Sequence, residues 1–86
     1  MTSLERDIRT CILLALLATK GSPMPDDSLK RHICNMHPNV AFSAGELTDH
    51  VRDCETDNLI AGTNDEVFGL MWALTPKGKI RAQQLR

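Results

Sequence analysis

Apolar residues recur at every third or fourth position through Leu4, Ile8, Cys11, Ile12 and Ala15, the spacing that gathers side chains on one side of an α-helix. Leu13, Leu16 and Leu17 widen that stripe in the second half of the segment, which predicts burial on several sides. Thr2-x-x-Glu5 has the form of a capping box, so the helix starts there. Gly21, Ser22, Pro23 and Pro25 end it in an extended turn. Asp26 and Asp27 suit the positive end of a second helix, whose buried stripe is Leu29, Ile33 and Met36. That helix stops near His37, because Pro38 disfavours helical geometry in the residue before it, and His37 to Phe42 form a connector. Ser43-x-x-Glu46 is a second capping box, and Leu47, Val51 and Cys54 continue as the inner face of a third helix.

After Asp57 and Asn58 the period changes. Leu59, Ile60 and Ala61 read as a strand running into the turn-rich Gly62, Thr63, Asn64 and Asp65. Leu70 to Leu74 form a second strand, with Leu70, Trp72 and Leu74 on one side and Met71 and Ala73 on the other. The two make a hairpin. Thr75-Pro76 then opens a last helix reaching about Leu85, since threonine caps well and proline tolerates the first helical position. The expected fold is mainly α with a small β-hairpin (α+β), as one domain over residues 1–86. No internal repeat or low-complexity tract interrupts it.

Three helices, a hairpin and a final helix in that order resemble the winged helix-turn-helix domains of bacterial and phage regulators. Gly45-Glu46-Leu47, Asp57-Asn58-Leu59-Ile60 and Trp72-Ala73-Leu74-Thr75-Pro76-Lys77-Gly78-Lys79 carry the likeness. The last has the pattern aromatic-x-Leu-Thr-x-x-Gly. The resemblance implies a DNA-binding transcriptional regulator, acting as a dimer, with the third helix in the major groove and the hairpin wing against backbone or minor groove. Carried over to this chain, Ser43, Ala44, Thr48, Asp49 and Arg52 face the duplex and Asn64 lies near the wing tip. Lys30 and Arg31 stand where helix ends meet phosphates.

Charge argues against an easy fit. The chain carries a net −1, without the basic excess that helps many nucleic-acid binders. Ser43 to Gly69 hold seven acids against the single base Arg52, a local net of −6, whereas the remainder is +5. DNA affinity rests on neutralising phosphates with Lys and Arg. Glu46, Asp49, Asp53, Glu55, Asp65 and Glu66 therefore support an alternative: an acidic face docking on a basic protein partner, as in a phage or mobile-element accessory protein that imitates nucleic acid. Arg6, Arg9, Lys77, Lys79, Arg81 and Arg86 read as scattered, solvated charges.

Other chemistry is thin. Cys34-x2-His37-x12-His50-x3-Cys54 approaches a zinc-finger spacing, but its ligand order is unusual and Cys34 falls off the core stripe. Small core thiols and surface histidines are the expectation, with no metal and no cofactor. His50 and Cys54 stand close enough for a Cys-His pair, yet the thiol lies on the buried face, so catalysis is not expected. The five glycines are scattered and make no phosphate loop. Trp72 reads as a core plate under the hairpin. The turn from Ile12 to Leu17 reads as central core, with a dimer interface shared with the last helix as the alternative that the resemblance implies. Three widely spaced cysteines fit a reducing cytoplasm. Glu5 and Asp7 spoil a basic leader, and the apolar run is too short to span a bilayer.

Overall fold

A computed structural model describes residues 2–85; Arg86, counted above among the scattered bases, lies outside them. Helix α1 spans Ser3–Ala18, strand β1 Met24–Pro25, α2 Asp26–Met36, α3 Ala44–Thr56, β2 Ile60–Asp65, β3 Gly69–Leu74 and α4 Pro76–Leu85. Both serine/threonine caps form: Thr2 accepts from the Glu5 backbone N–H and Ser43 from that of Glu46, each at 3.1 Å. The return half of the first box differs from expectation. The Glu5 carboxylate accepts from the Thr2 hydroxyl at 3.2 Å.

Helix α1 is the centre of the molecule, packed against α2, α3, α4 and β3. Ile8, Ile12, Leu13, Ala15 and Leu16 are buried, joined by Leu29 and Ile33 of α2, Leu47, Val51 and Cys54 of α3, and Ala82 of α4. The core reading of the Ile12 to Leu17 turn holds for four of its six residues, while Leu14 and Leu17 are half-buried. Two expected core residues point out instead. Met36, in the last turn of α2, is 60% exposed, and Leu4, in the first turn of α1, is 39% exposed.

The hairpin is present and gains a third strand. β1 pairs antiparallel with β3 (Met24 opposite Trp72) and β3 pairs antiparallel with β2 (Ile60 opposite Leu74, Asp65 opposite Gly69), so the order is β1-β3-β2. Where the proline-rich segment after α1 read as a turn, Met24 and Pro25 occupy the free edge of β3. Proline at a sheet edge withholds no hydrogen bond that a further strand needs.

Helix α3 closes with a Schellman motif. Asn58, at φ +61°, sends its N–H to the Glu55 carbonyl, and the Leu59 N–H reaches back to Cys54. The aromatic-x-Leu-Thr-x-x-Gly pattern has a physical reading here. Thr75 caps α4 through the Gly78 N–H at 3.0 Å while its hydroxyl donates to the Asn58 carbonyl at 2.6 Å. Gly78 rests directly on the Leu59 backbone, where a methyl group would collide with the Leu59 carbonyl. No helix among the described residues is long and apolar enough to cross a membrane.

Candidate functional site

Leu47, Val51 and Cys54 anchor one side of α3 in the core. At about 100° per residue, Gly45, Asp49, Arg52 and Thr56 face the opposite way, and all four are exposed. Ser43, Ala44, Glu46 and Asp53 are exposed as well. The outer side of α3 is thus open, and the wing stands beside it, with Asn64 exposed on β2 opposite Leu70.

A line of polar contacts braces α3 from behind. The Trp72 indole N–H donates to the Asp26 carboxylate at 2.8 Å. Lys30 pairs with the same carboxylate at 2.9 Å and donates to the Thr48 hydroxyl at 3.1 Å. With side chains only 25% and 19% exposed, Lys30 and Asp26 form a sheltered pair, so the bonds are worth more than those of a surface ion pair. β3, α2 and α3 are fastened together through these four side chains. The expectation that Lys30 and Thr48 stand free toward phosphate or base is corrected by this: both are engaged inside the helix-turn-helix. The sequence signal was the i,i+4 pair Asp26 and Lys30, legible as a pair but silent about its third and fourth members.

The positive groups left on this side are few. Arg31 is exposed on α2, and Arg52 is exposed while touching Glu55 at 3.4 Å. Glu46, Asp49, Asp53 and Glu66 are exposed. Asp57 is removed from the acidic face by Arg9 of α1, at 2.7 Å. The hairpin from Ile60 to Leu74 contains no Lys, Arg or His at all.

The wing tip has a defined shape. One Asp65 oxygen accepts the backbone N–H groups of Val67 at 2.7 Å and Phe68 at 3.0 Å, and those bonds, from Phe68 and then Val67, hold its carboxyl below the usual carboxylate range. Gly69, at φ +73°, closes the turn in the left-handed region. Val67 and Phe68 are left 83% and 64% exposed, the most exposed large apolar side chains described.

The zinc-like quartet is not gathered. Cys54 is fully buried, and burial pushes its thiol up to about 11. Phe42 stands between the two histidines, edge-on at 6.3 Å to His37 and 6.1 Å to His50. The buried His37 Nε2 has no hydrogen-bond partner. Among the described residues no three His, Cys, Asp or Glu are grouped as metal ligands. Trp72 is 2% exposed, the core plate that was expected.

No protein-family model matches the chain and no curated protein matches it. Its architecture is similar to the crystal structure of a MarR-family transcriptional regulator from Silicibacter pomeroyi, with a TM-score of 0.64 at 19% identity. The likeness covers 91% of this chain and 48% of the other, so the chain spans about half the length of that structure. Four helices, an open third helix and an antiparallel hairpin in this order and geometry make the fold a winged helix-turn-helix.

Proposed function

We propose that the protein is a DNA-binding winged helix acting in transcriptional regulation. The observation that carries this reading is the outer side of α3, uncovered along its length and held from behind by the Trp72-Asp26-Lys30-Thr48 line. In this reading α3 enters the major groove by its exposed side, with Ser43, Ala44 and Arg52 toward the bases, Thr48 setting the helix position, and Arg31 on the phosphate backbone. With Arg31 the one guanidinium assigned to phosphate, and Arg52 directed to the bases beside Glu55, the salt dependence is shallow. The slope of log affinity against log salt is expected near −1, at about 0.9 per neutralised phosphate. Fluorescence anisotropy with random duplex DNA at several salt concentrations tests this. Binding at low salt that Arg52→Ala weakens about tenfold or more supports it. Absence of any duplex binding at low ionic strength refutes it.

A second reading is favoured by the base-free hairpin and the internal use of Lys30. Glu46, Asp49, Asp53, Glu55 and Glu66 then form a docking face for a basic protein partner, with association speeded by complementary charge. Reversing Asp49, Asp53 and Glu55 to lysine should abolish binding of a cationic peptide probe. Unchanged binding would discard this face.

A further inference from the structure

The molecule carries an apolar knob and an apolar groove with opposite charges around them. The knob is the wing tip: Val67 and Phe68 project into solvent, flanked by Asp65 and Glu66, on a hairpin without a single base. Its shape is set in advance by the two backbone bonds to Asp65, so little order is lost on contact. The groove lies between the C-terminal half of α1 and the start of α4, with a volume of about 1050 Å³. Leu14, Leu17, Leu74 and Pro76 line it, and Lys20 and Lys79 are the only charged residues along it. Neither lysine forms an ion pair among the described residues.

Two grooves facing each other across a symmetric pair would bring four ammonium groups together, so the groove suits an occupant that brings carboxylates. The wing tip supplies both carboxylates and apolar side chains. It does not reach its own groove: Gly69 is at the tip, Leu74 lines the groove, and the six residues of β3 hold them apart by about 17 Å at the rise of a strand. We infer that the wing tip of one copy seats in the α1–α4 groove of the next. Phe68 and Val67 enter between Leu17 and Leu74, and Asp65 and Glu66 meet Lys20 and Lys79. Knob and groove are different surfaces, so the contact is heterologous: an open chain of copies keeps one knob and one groove free at its ends, and only a rotation that closes a ring uses up both. This goes beyond the DNA reading and is independent of it, since the wing carries no group that neutralises phosphate. A contact this small is weak, salt-sensitive and visible at high protein concentration.

Sedimentation velocity of the full chain, reduced and at low ionic strength, up to about 1 mM, tests the inference. The weight-average sedimentation coefficient should climb with concentration past that of a dimer, and fall when salt is added. Phe68→Ser and Lys79→Glu should each sediment as folded monomers, with unchanged circular dichroism. Mixed in equal amounts they should form a 1:1 dimer and nothing larger, because the first retains a groove and the second a knob. Combining Glu66→Lys with Lys79→Glu in one chain should restore assembly. A wild-type chain monomeric at every concentration overturns the proposal, and so does a closed dimer that survives Phe68→Ser. DNA anisotropy on the same variants separates this from the reading above: Phe68→Ser should leave duplex affinity unchanged. A loss of DNA binding in that variant without any change in sedimentation would assign the tip to DNA and overturn the contact between copies.

Discussion

The two aromatic residues of the hairpin, four positions apart, have opposite fates. Trp72, at the root, is 2% exposed, with its indole N–H bonded to Asp26. Phe68, at the tip, is 64% exposed and lies outside the core cluster. The root belongs to the core and fixes where α3 stands, whereas the tip is held in shape by its own backbone bonds to Asp65 and contributes little to the fold. Stability and presentation are thus divided along a single strand. Mutations at the two ends should separate cleanly.

The largest effect is expected at the root. Trp72→Ala removes a buried plate and one of the two donors to Asp26, and should cost about 3–5 kcal/mol in urea unfolding, a large part of the whole stability of a small domain. Gly78→Ala strikes the same end, because a methyl there meets the Leu59 carbonyl. Helix α4 must shift, at a cost of about 1–3 kcal/mol. Asp26→Ala leaves the Trp72 N–H and Lys30 without their shared acceptor and should cost about 1–3 kcal/mol. It should also broaden α3 amide signals in NMR spectra, and unaltered α3 signals would remove the bracing role. At the tip, Phe68→Ser should change unfolding free energy by no more than about 0.5 kcal/mol.

The smallest effect concerns Asp65. Its folded-state carboxyl is lowered by the Phe68 and Val67 N–H groups, so its contribution is present above the ordinary carboxylate range and lost as pH falls through the lowered value. Acid should therefore release the Val67 and Phe68 amides to faster hydrogen exchange before it affects the root. Simultaneous exchange at both ends of β3 would erase the distinction drawn here.

Much of this was readable from residue order. Both serine/threonine caps, the Thr75-Pro76 start and the hairpin follow from local chemistry, and that chemistry survives folding. What the chain did not disclose depends on partners distant in sequence. Met24–Pro25 became a strand because β3 offered a free edge, and two residues are too few to show alternation. Met36 and Leu4 matched the helical period, yet sit in terminal turns that extend past the core. Lys30 read as a surface cation because the contacts that engage the Asp26–Lys30 pair come from far along the chain: Thr48 accepts from Lys30 across 18 residues and Trp72 donates to Asp26 across 46. The acidic bias of α3 was plain from composition. The pairing of Asp57 with Arg9 and the capping use of Asp65 needed the fold.

The contact line from Trp72 through Asp26 and Lys30 to Thr48 has a metrical consequence. It ties the root of the hairpin to α3, and so sets the distance at which the wing tip is presented relative to the outer face of α3. Whatever meets both must match that gauge. A duplex, a basic protein or a neighbouring copy that does not fit the spacing can engage α3 or the tip, but not the two together.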